Sequence, residues 1–187
     1  MIITLAGRRI DAPDAAVPRF PLARSADVRE RILALLREQH ATALVSAAAC
    51  GADLLALNAA GELGIRRYVV LPFSRERFRA LSVVDRPGEW GTLFDQIISE
   101  VEAAGDLLLL NETQENTAAL VRTNKAILNE AQALARKIAS VNENASPPAV
   151  LAVIVWDGQP RGEDDLTVDF ADQARSRNIP VAEIATK

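Results

Sequence analysis

The chain of 187 residues has the size of one domain and, with 49% hydrophobic residues, can bury a substantial core. Its formal net charge of -4 argues against a surface that coats nucleic acid, and its single cysteine, Cys50, excludes an intramolecular disulfide. No apolar run approaches the length of a membrane span, and the first residues are too briefly apolar for a signal peptide. We therefore expect a cytoplasmic protein without membrane or nucleic-acid partners.

Apolar, strand-like runs alternate with helical patterns along the chain. Residues 52–63 and 117–141 show the clearest helical spacing, and Ser25 is the predicted cap of an earlier helix. The predicted strands are residues 2–6, 43–46, 68–71, 107–110, 150–155 and 181–184. The other predicted helices are residues 25–39, 92–104 and 166–177, and the polar stretch 142–148 ends the longest helix. This alternation predicts right-handed crossovers and a doubly wound, mainly parallel sheet of five or six strands with helices on both faces.

Residues 43–63 form the unit around which the other segments are arranged. An apolar strand leads into a loop of small residues, 47–51, and then directly into a helix. The first amides of that helix have no partner within the helix, so a phosphate has room to approach the backbone there. The Lys and hydroxyl of a P-loop are missing. Asp53, in the first helical turn, is interpreted as a carboxylate that complements the helix dipole in preference to a catalytic group.

A Cys/His catalytic pair is not expected. His40 precedes the second strand and Cys50 follows it, so the two residues lie at opposite edges of the sheet, about 13 Å or more apart. Cys50 is interpreted as a small buried residue, and His40 as a partner of a helix end.

Four loops follow strands and should meet at the carboxyl edge of the sheet, where open α/β sheets bind ligands. These loops are residues 7–9, 47–53, 72–79 and 157–167. Together they offer helix N-termini and arginines for phosphate, Asp157 for ribose hydroxyls and small residues for a planar base. Arg75 and Arg79, four residues apart, would share one helical face. A nucleotide or a nucleotide-derived ligand fits this edge.

The motifs in these loops occur in an order that resembles a known family. AGRR follows the first strand, then come SAAACGAD, VVLPFSRERF and VIVWDG, and a threonine-containing loop precedes the last helix. This order resembles the SLOG superfamily of Rossmann-like nucleotide-binding domains, and the resemblance covers nearly the whole chain. Its relatives include the cytokinin-activating phosphoribohydrolases and DNA-processing protein A. The nearest likeness is to bacterial signalling and defence domains, so the resemblance implies a ligand sensor with one three-layer Rossmann-like domain over residues 1–187.

Site residues follow from the loops and from the motif positions together. The resemblance places Arg8 where the family commonly has histidine, and it includes Trp156 beside Asp157. The candidate ligand-binding residues are Gly7, Arg8, Arg9, Ser46, Ala47, Gly51, Ala52, Asp53, Pro72, Phe73, Arg75, Arg79, Asp157, Gly158 and Thr167. No cofactor and no metal site is expected. Relatives form dimers, so a homodimer or higher homo-oligomer is an option, although the core also explains the apolar helix faces.

The last loop departs from the family pattern. Asp165 and Leu166 stand before Thr167 where the family normally has two glycines, and Phe170 occupies the position of the phosphoribohydrolase acid. A phosphate at this loop would meet carboxylates and a bulky side chain.

Three hypotheses about function remain open. The first is a sensor that binds a nucleotide, a cyclic nucleotide or an ADP-ribose derivative. The second is a nucleotide N-glycosidase, similar to the phosphoribohydrolases, in which Asp157, Glu163 or Asp169 stabilises an oxocarbenium-like centre. The third is an interaction module that binds no nucleotide. Whether the chain is an enzyme is therefore left open.

Overall fold

The computed structural model describes residues 1–141 and 146–187. It shows an α/β fold of six strands and six α-helices within these ranges. The strands are β1 (Ile2–Gly7), β2 (Ala43–Ser46), β3 (Arg66–Leu71), β4 (Leu107–Leu109), β5 (Val150–Trp156) and β6 (Val181–Ala185). The helices are α1 (Ser25–Glu38), α2 (Ala52–Glu62), α3 (Arg75–Ser82), α4 (Trp90–Ala103), α5 (Thr117–Val141) and α6 (Leu166–Arg175).

All six strands pair in parallel, in the order β4-β3-β2-β1-β5-β6. β1 lies between β2 and β5, with Ile2 opposite both Ala43 and Val150. The chain moves outward from β1 to β4 and then returns to the other side of β1, so the strand order reverses at this point. The structure thus confirms the predicted doubly wound α/β fold, and a reversal of this kind is where such sheets form a ligand crevice.

Two apolar cores cover the two faces of the sheet. One includes Ile32 of α1, Leu54 of α2 and Phe94 of α4, and the other includes Ile127 of α5 and Phe170 of α6. Alternate residues of each strand point to opposite faces of the sheet. Because helices cover both faces, successive strand residues are mostly apolar, which explains the continuous apolar runs in the sequence. Among the described residues, no helix is both long enough and apolar enough to cross a membrane.

The element boundaries differ from the predictions in a few places. β3 begins at Arg66 and α4 at Trp90, each two residues earlier than predicted. The prediction that Ser25 caps α1 is wrong, because Ser25 is already helical and its hydroxyl donates to the carbonyl of Leu22. Asn178 has a positive φ of 56°, which confirms the predicted helix stop. Part of the predicted stop at 142–148, residues 142–145, lies outside the described residues.

Candidate functional site

A cavity of about 310 Å³ opens at the carboxyl edge of the sheet, beside β1. This volume lies at the lower end of the range of about 300–1,000 Å³ that is typical of small-molecule sites. Its walls come from the end of β1, from the loops after β1, β2, β3 and β5, from the first turns of α2 and α6, from α3 and from the first half of α5. The lining residues are Ala6, Gly7, Arg8, Arg9, Ala47, Ala49, Asp53, Pro72, Phe78, Ser82, Leu120, Thr123, Asn124, Ile127, Arg161, Asp164, Asp165, Leu166 and Thr167.

Glycine is required at the two positions where β1 and its loop approach α2. A Cβ at Gly7 would lie 2.5 Å from the Cβ of Ala52, which is too close for any side chain there. Gly51 has a φ of 99°, and a Cβ there would lie 2.8 Å from the carbonyl oxygen of Arg8. The amide of Ala52 donates to the same carbonyl at 3.1 Å. One free amide of the α2 N-terminus is therefore already used by the backbone of the loop after β1.

Asp53 is the least satisfied acidic group of the cavity wall. The side chain is buried, and its Oδ2 accepts a hydrogen bond from the Ala49 amide at 3.2 Å. Its Oδ1 is buried and has no partner among the residues that the structure describes. Burial raises the pKa of this carboxyl to about 7, although the Ala49 amide and the charge of Arg9 act in the opposite direction. Asp53 can therefore either donate or accept a hydrogen bond near neutral pH.

Arg8 has its donors taken by groups of the protein. Two of its guanidinium nitrogens each lie 2.8 Å from a carboxylate oxygen of Asp165, and Nε donates to Asp157 at 3.2 Å. The carbonyl of Gln159 accepts a further bond at 2.7 Å. The side chains of all three charged residues, Arg8, Asp157 and Asp165, are at most 3% exposed. We call these three residues the Arg8 cluster.

The Arg8 cluster fills the positively polarised end of α6. Asp165 is the residue before the helix, and its Oδ1 accepts from the Thr167 amide at 2.9 Å while Oδ2 accepts from the Arg161 amide at 2.7 Å. Burial alone would raise the pKa of Asp165, but the hydrogen bonds from Arg8 and the Arg161 amide bring it below its ordinary value. A built-in carboxylate therefore occupies the place where a helix N-terminus would otherwise hold an anion.

The three carboxylates considered for catalysis lie outside the cavity lining. Asp157 pairs with Arg8 and also with Arg19, at 3.1 Å. Asp169 accepts from the side-chain amides of Asn124 and Gln173, both at 2.8 Å, and so connects α5 to α6. Glu163 is exposed.

The predicted ligand-binding residues separate into two groups. Those that line the cavity are Gly7, Arg8, Arg9, Ala47, Asp53, Pro72 and Thr167. Those that lie outside its lining are Ser46, Gly51, Ala52, Phe73, Arg75, Arg79, Asp157 and Gly158. Several members of the second group have structural contacts instead: Phe73 belongs to the core, and Arg75 and Arg79 both pair with Asp95 of α4.

Twelve of the nineteen lining residues were not predicted as ligand-binding residues, among them Arg161 and four residues of α5. Arg161 lies in the loop after β5, and Leu120, Thr123, Asn124 and Ile127 come from α5. The apolar stripe of α5 indicated only a core helix. The adjacent polar pair Thr123–Asn124 interrupts that stripe, and this interruption could have indicated a cavity wall. In the structure both side chains are buried.

Cys50, which follows β2, is buried. Burial raises the pKa of the Cys50 thiol, which keeps it protonated although Arg9 acts in the opposite direction. Over residues 1–141 and 146–187, no group of three or more His, Cys, Asp or Glu side chains is arranged to hold a metal ion.

No protein-family model matches the chain, and no curated protein is significantly similar to it. Membership of the SLOG superfamily therefore stays a prediction that depends on the motifs.

Proposed function

We propose that the protein binds a small, nucleotide-derived molecule in the cavity beside β1 and acts as a sensor of that molecule. The observation that carries this proposal is the buried, unpartnered Oδ1 of Asp53 in the wall of an open cavity. Buried polar atoms are almost always hydrogen-bonded, so an unpartnered carboxylate oxygen beside a cavity is a place where a polar group of a ligand, or a water that the ligand displaces, would bind.

The cavity suits a planar group that carries hydrogen-bonding edges. Gly7, Ala47 and Ala49 contribute little side-chain bulk to its wall, while Leu120 and Ile127 contribute an apolar surface. A nucleobase presents apolar faces and a polar edge, and this edge would pair with the Asp53 carboxyl. The cyclic nucleotides and ADP-ribose derivatives of the sensor hypothesis all contain such a base.

Binding is better supported than hydrolysis by the roles of the carboxylates. Asp157 is taken up by Arg8 and Arg19, and Asp169 connects two helices. An oxocarbenium-like centre needs a carboxylate that faces the sugar, and none of the three carboxylates of the glycosidase hypothesis, Asp157, Glu163 and Asp169, lines the cavity. The glycosidase reaction and a role as an interaction module without ligand are the outcomes against which the proposal is tested.

The test is a thermal-shift screen against nucleoside monophosphates, ADP-ribose, its cyclic forms, NAD and cyclic dinucleotides, followed by chromatography of each mixture. A ligand at 100 times its Kd should raise Tm by about 5–10 °C, because it binds only the folded state. Recovery of the intact ligand would support a sensor. Release of free base would show hydrolysis, and no shift with any compound would favour the interaction module.

Two variants, each of which replaces an alanine with leucine, test whether the ligand that raises Tm binds in this cavity. Ala49→Leu adds bulk to the cavity wall and should remove the shift, whereas Ala103→Leu places the same side chain on an exposed position of α4 and should retain it. Equal shifts in the two variants would contradict binding in this cavity.

A further inference from the structure

A second cleft adjoins the cavity and is lined by four arginines. Its volume is about 270 Å³, and it shares Arg9 and Arg161 with the cavity. The two remaining arginines are Arg19 and Arg86, and the one lining carboxylate is that of Asp11. We call this space the arginine cleft. Such a concentration of positive charge stands out on a chain whose net charge is -4.

Carboxylates near the arginine cleft compensate part of this charge, since Arg9 pairs with Asp85 and Arg19 donates to Asp157 at 3.1 Å. Oδ2 of Asp11 is taken by the backbone amides of Arg19 and Phe20, each at 2.9 Å. Asp85 serves two arginines at once, since it pairs with Arg9 and lies 3.5 Å from Nε of Arg86.

Several guanidinium donors have no acceptor. Nε of Arg9 and Nε of Arg86 are buried and make no hydrogen bond with any described residue. Arg161 is exposed, and within residues 1–141 and 146–187 its guanidinium forms neither a hydrogen bond nor an ion pair, so its five N–H donors face solvent and are free for a ligand. Partial burial lowers the pKa of Arg161 and repulsion from Arg8 and Arg19 adds to this effect, although the charges of Asp165 and Asp11 act in the opposite direction. An anion in the arginine cleft would supply the missing acceptors and relieve this repulsion.

Other anion-binding features at this edge are already occupied. Asp165 fills the N-terminus of α6, and Arg8 has its donors taken by two carboxylates and the Gln159 carbonyl. A phosphate would have to displace a buried ion pair to bind there, whereas the arginine cleft offers unused donors at the mouth of the same cavity.

The geometry points to the arginine cleft as the site for a diphosphate group of the same ligand, whose base occupies the cavity. This inference rests on the proposed function and narrows the ligand to nucleotides that carry a diphosphate, such as a nucleoside diphosphate or an ADP-ribose derivative. Guanidinium groups suit this role because they bind phosphate oxygens in bidentate fashion. Among the described residues, Arg86 and Arg161 have no hydrogen-bonded carboxylate, so each is available to one of two linked phosphates.

The experiment uses inorganic pyrophosphate as the probe of the arginine cleft. Titration calorimetry should show binding that weakens with added salt, because the cleft is partly exposed to solvent. Arg86→Gln and Arg161→Gln should each weaken pyrophosphate binding about tenfold or more, which is the effect of losing one charge-assisted contact. Arg175→Gln is the matched control, since Arg175 lies on the exposed side of α6 and pairs with Asp172, and it should leave the affinity unchanged.

Two results would overturn the inference: no binding of pyrophosphate to the unaltered protein, or binding that is the same in Arg86→Gln, Arg161→Gln and Arg175→Gln. Circular dichroism of each variant separates a lost contact from a lost fold.

Matched pairs of nucleoside and nucleoside diphosphate, adenosine with ADP and guanosine with GDP, separate this inference from the proposed function. Tighter binding of a diphosphate than of both its nucleoside and pyrophosphate would support both. Nucleosides that bind as tightly as their diphosphates would overturn the inference and retain the nucleotide site. Pyrophosphate binding that requires Arg86 and Arg161 but gains nothing from an attached nucleoside would overturn the proposed function and retain the anion site.

Discussion

The Arg8 cluster and the arginine cleft lie on the same edge of the sheet and use the same charged residue type in opposite ways. In the cluster, one buried guanidinium is matched by two carboxylates and a carbonyl. In the cleft, four guanidiniums line open space; Arg9 pairs with Asp85 and Arg19 with Asp157, but among the described residues the Nε atoms of Arg9 and Arg86 have no acceptor. The difference indicates that the number of partners, and not the presence of an arginine, distinguishes a structural charge from one available to a ligand.

The two residues that follow β1 belong to different regions: Arg8 to the Arg8 cluster and Arg9 to the arginine cleft. The Arg8 amide donates to the Val155 carbonyl at 2.8 Å, which continues the β1–β5 pairing, and its side chain reaches the loop after β5. The side chain of Arg9 reaches Asp85, in the loop between α3 and α4. Residues in extended backbone alternate in direction, so a pair of adjacent arginines supplies one to each region.

The largest expected effect comes from breaking the Arg8 cluster. Arg8→Met keeps an unbranched side chain but leaves Asp157 and Asp165 buried with fewer partners. The free energy of unfolding should fall by about 3–5 kcal/mol, which is typical for removal of one member of a buried ion pair. Urea denaturation measures this change. Arg175→Met, which removes an exposed pair, should cost about 0.5 kcal/mol or less, and a similar loss in both variants would contradict a structural role for Arg8.

The sequence predicted the sheet better than the site because strand identity depends on local apolar runs. Residues 43–46 and 117–141 were found with the bounds that the structure shows. Arg66 and Arg67 were missed as the start of β3, since a charged pair at the edge of a sheet does not continue the apolar run. The partner of Arg8, Asp165, is 157 positions away in the chain, and no local pattern indicates that pairing.

The second prediction concerns Asp53. Unlike Asp165, which pairs with Arg8, this buried carboxyl forms no ion pair with any described residue. Because the pKa of Asp53 is about 7 in the folded protein and near 3.8 as a free group, the folded state binds more protons between these values. Stability contributed by protonated Asp53 is therefore present at low pH and lost as pH rises towards 7. Between pH 5 and pH 8 this loss should amount to about 2–3 kcal/mol.

Asp53→Asn measures that contribution directly. The carboxamide retains an acceptor for the Ala49 amide but cannot ionise, so it should gain about 2–3 kcal/mol relative to the unaltered protein between pH 5 and pH 8. Denaturant melts at a series of pH values provide the measurement. Parallel pH profiles for the two proteins would show that Asp53 ionises as it does in the unfolded chain.

The third prediction concerns Gly51, whose backbone packs against the loop in which Arg8 and Arg9 lie. Gly51→Ala should lower the free energy of unfolding by about 1–3 kcal/mol, because its positive φ is strained for alanine and its Cβ meets the Arg8 carbonyl. Gly64→Ala has a positive φ but no atom within 4 Å, so it should cost about 1 kcal/mol. If the two variants are equally stable by thermal melting, the contact with the loop is unimportant.

The smallest effect on stability is expected at Arg86, where the comparison between the two regions is sharpest. Its Nε is near Asp85 without a hydrogen bond, and its neighbours in the cleft are also positive. Arg86→Gln should therefore change the free energy of unfolding by about 0.5 kcal/mol or less in either direction. The same urea measurement used for Arg8→Met gives this value. A charge that serves ligand binding contributes little to the stability of the protein without ligand. A loss of unfolding free energy comparable with that of Arg8→Met would therefore mean that Arg86 supports the fold.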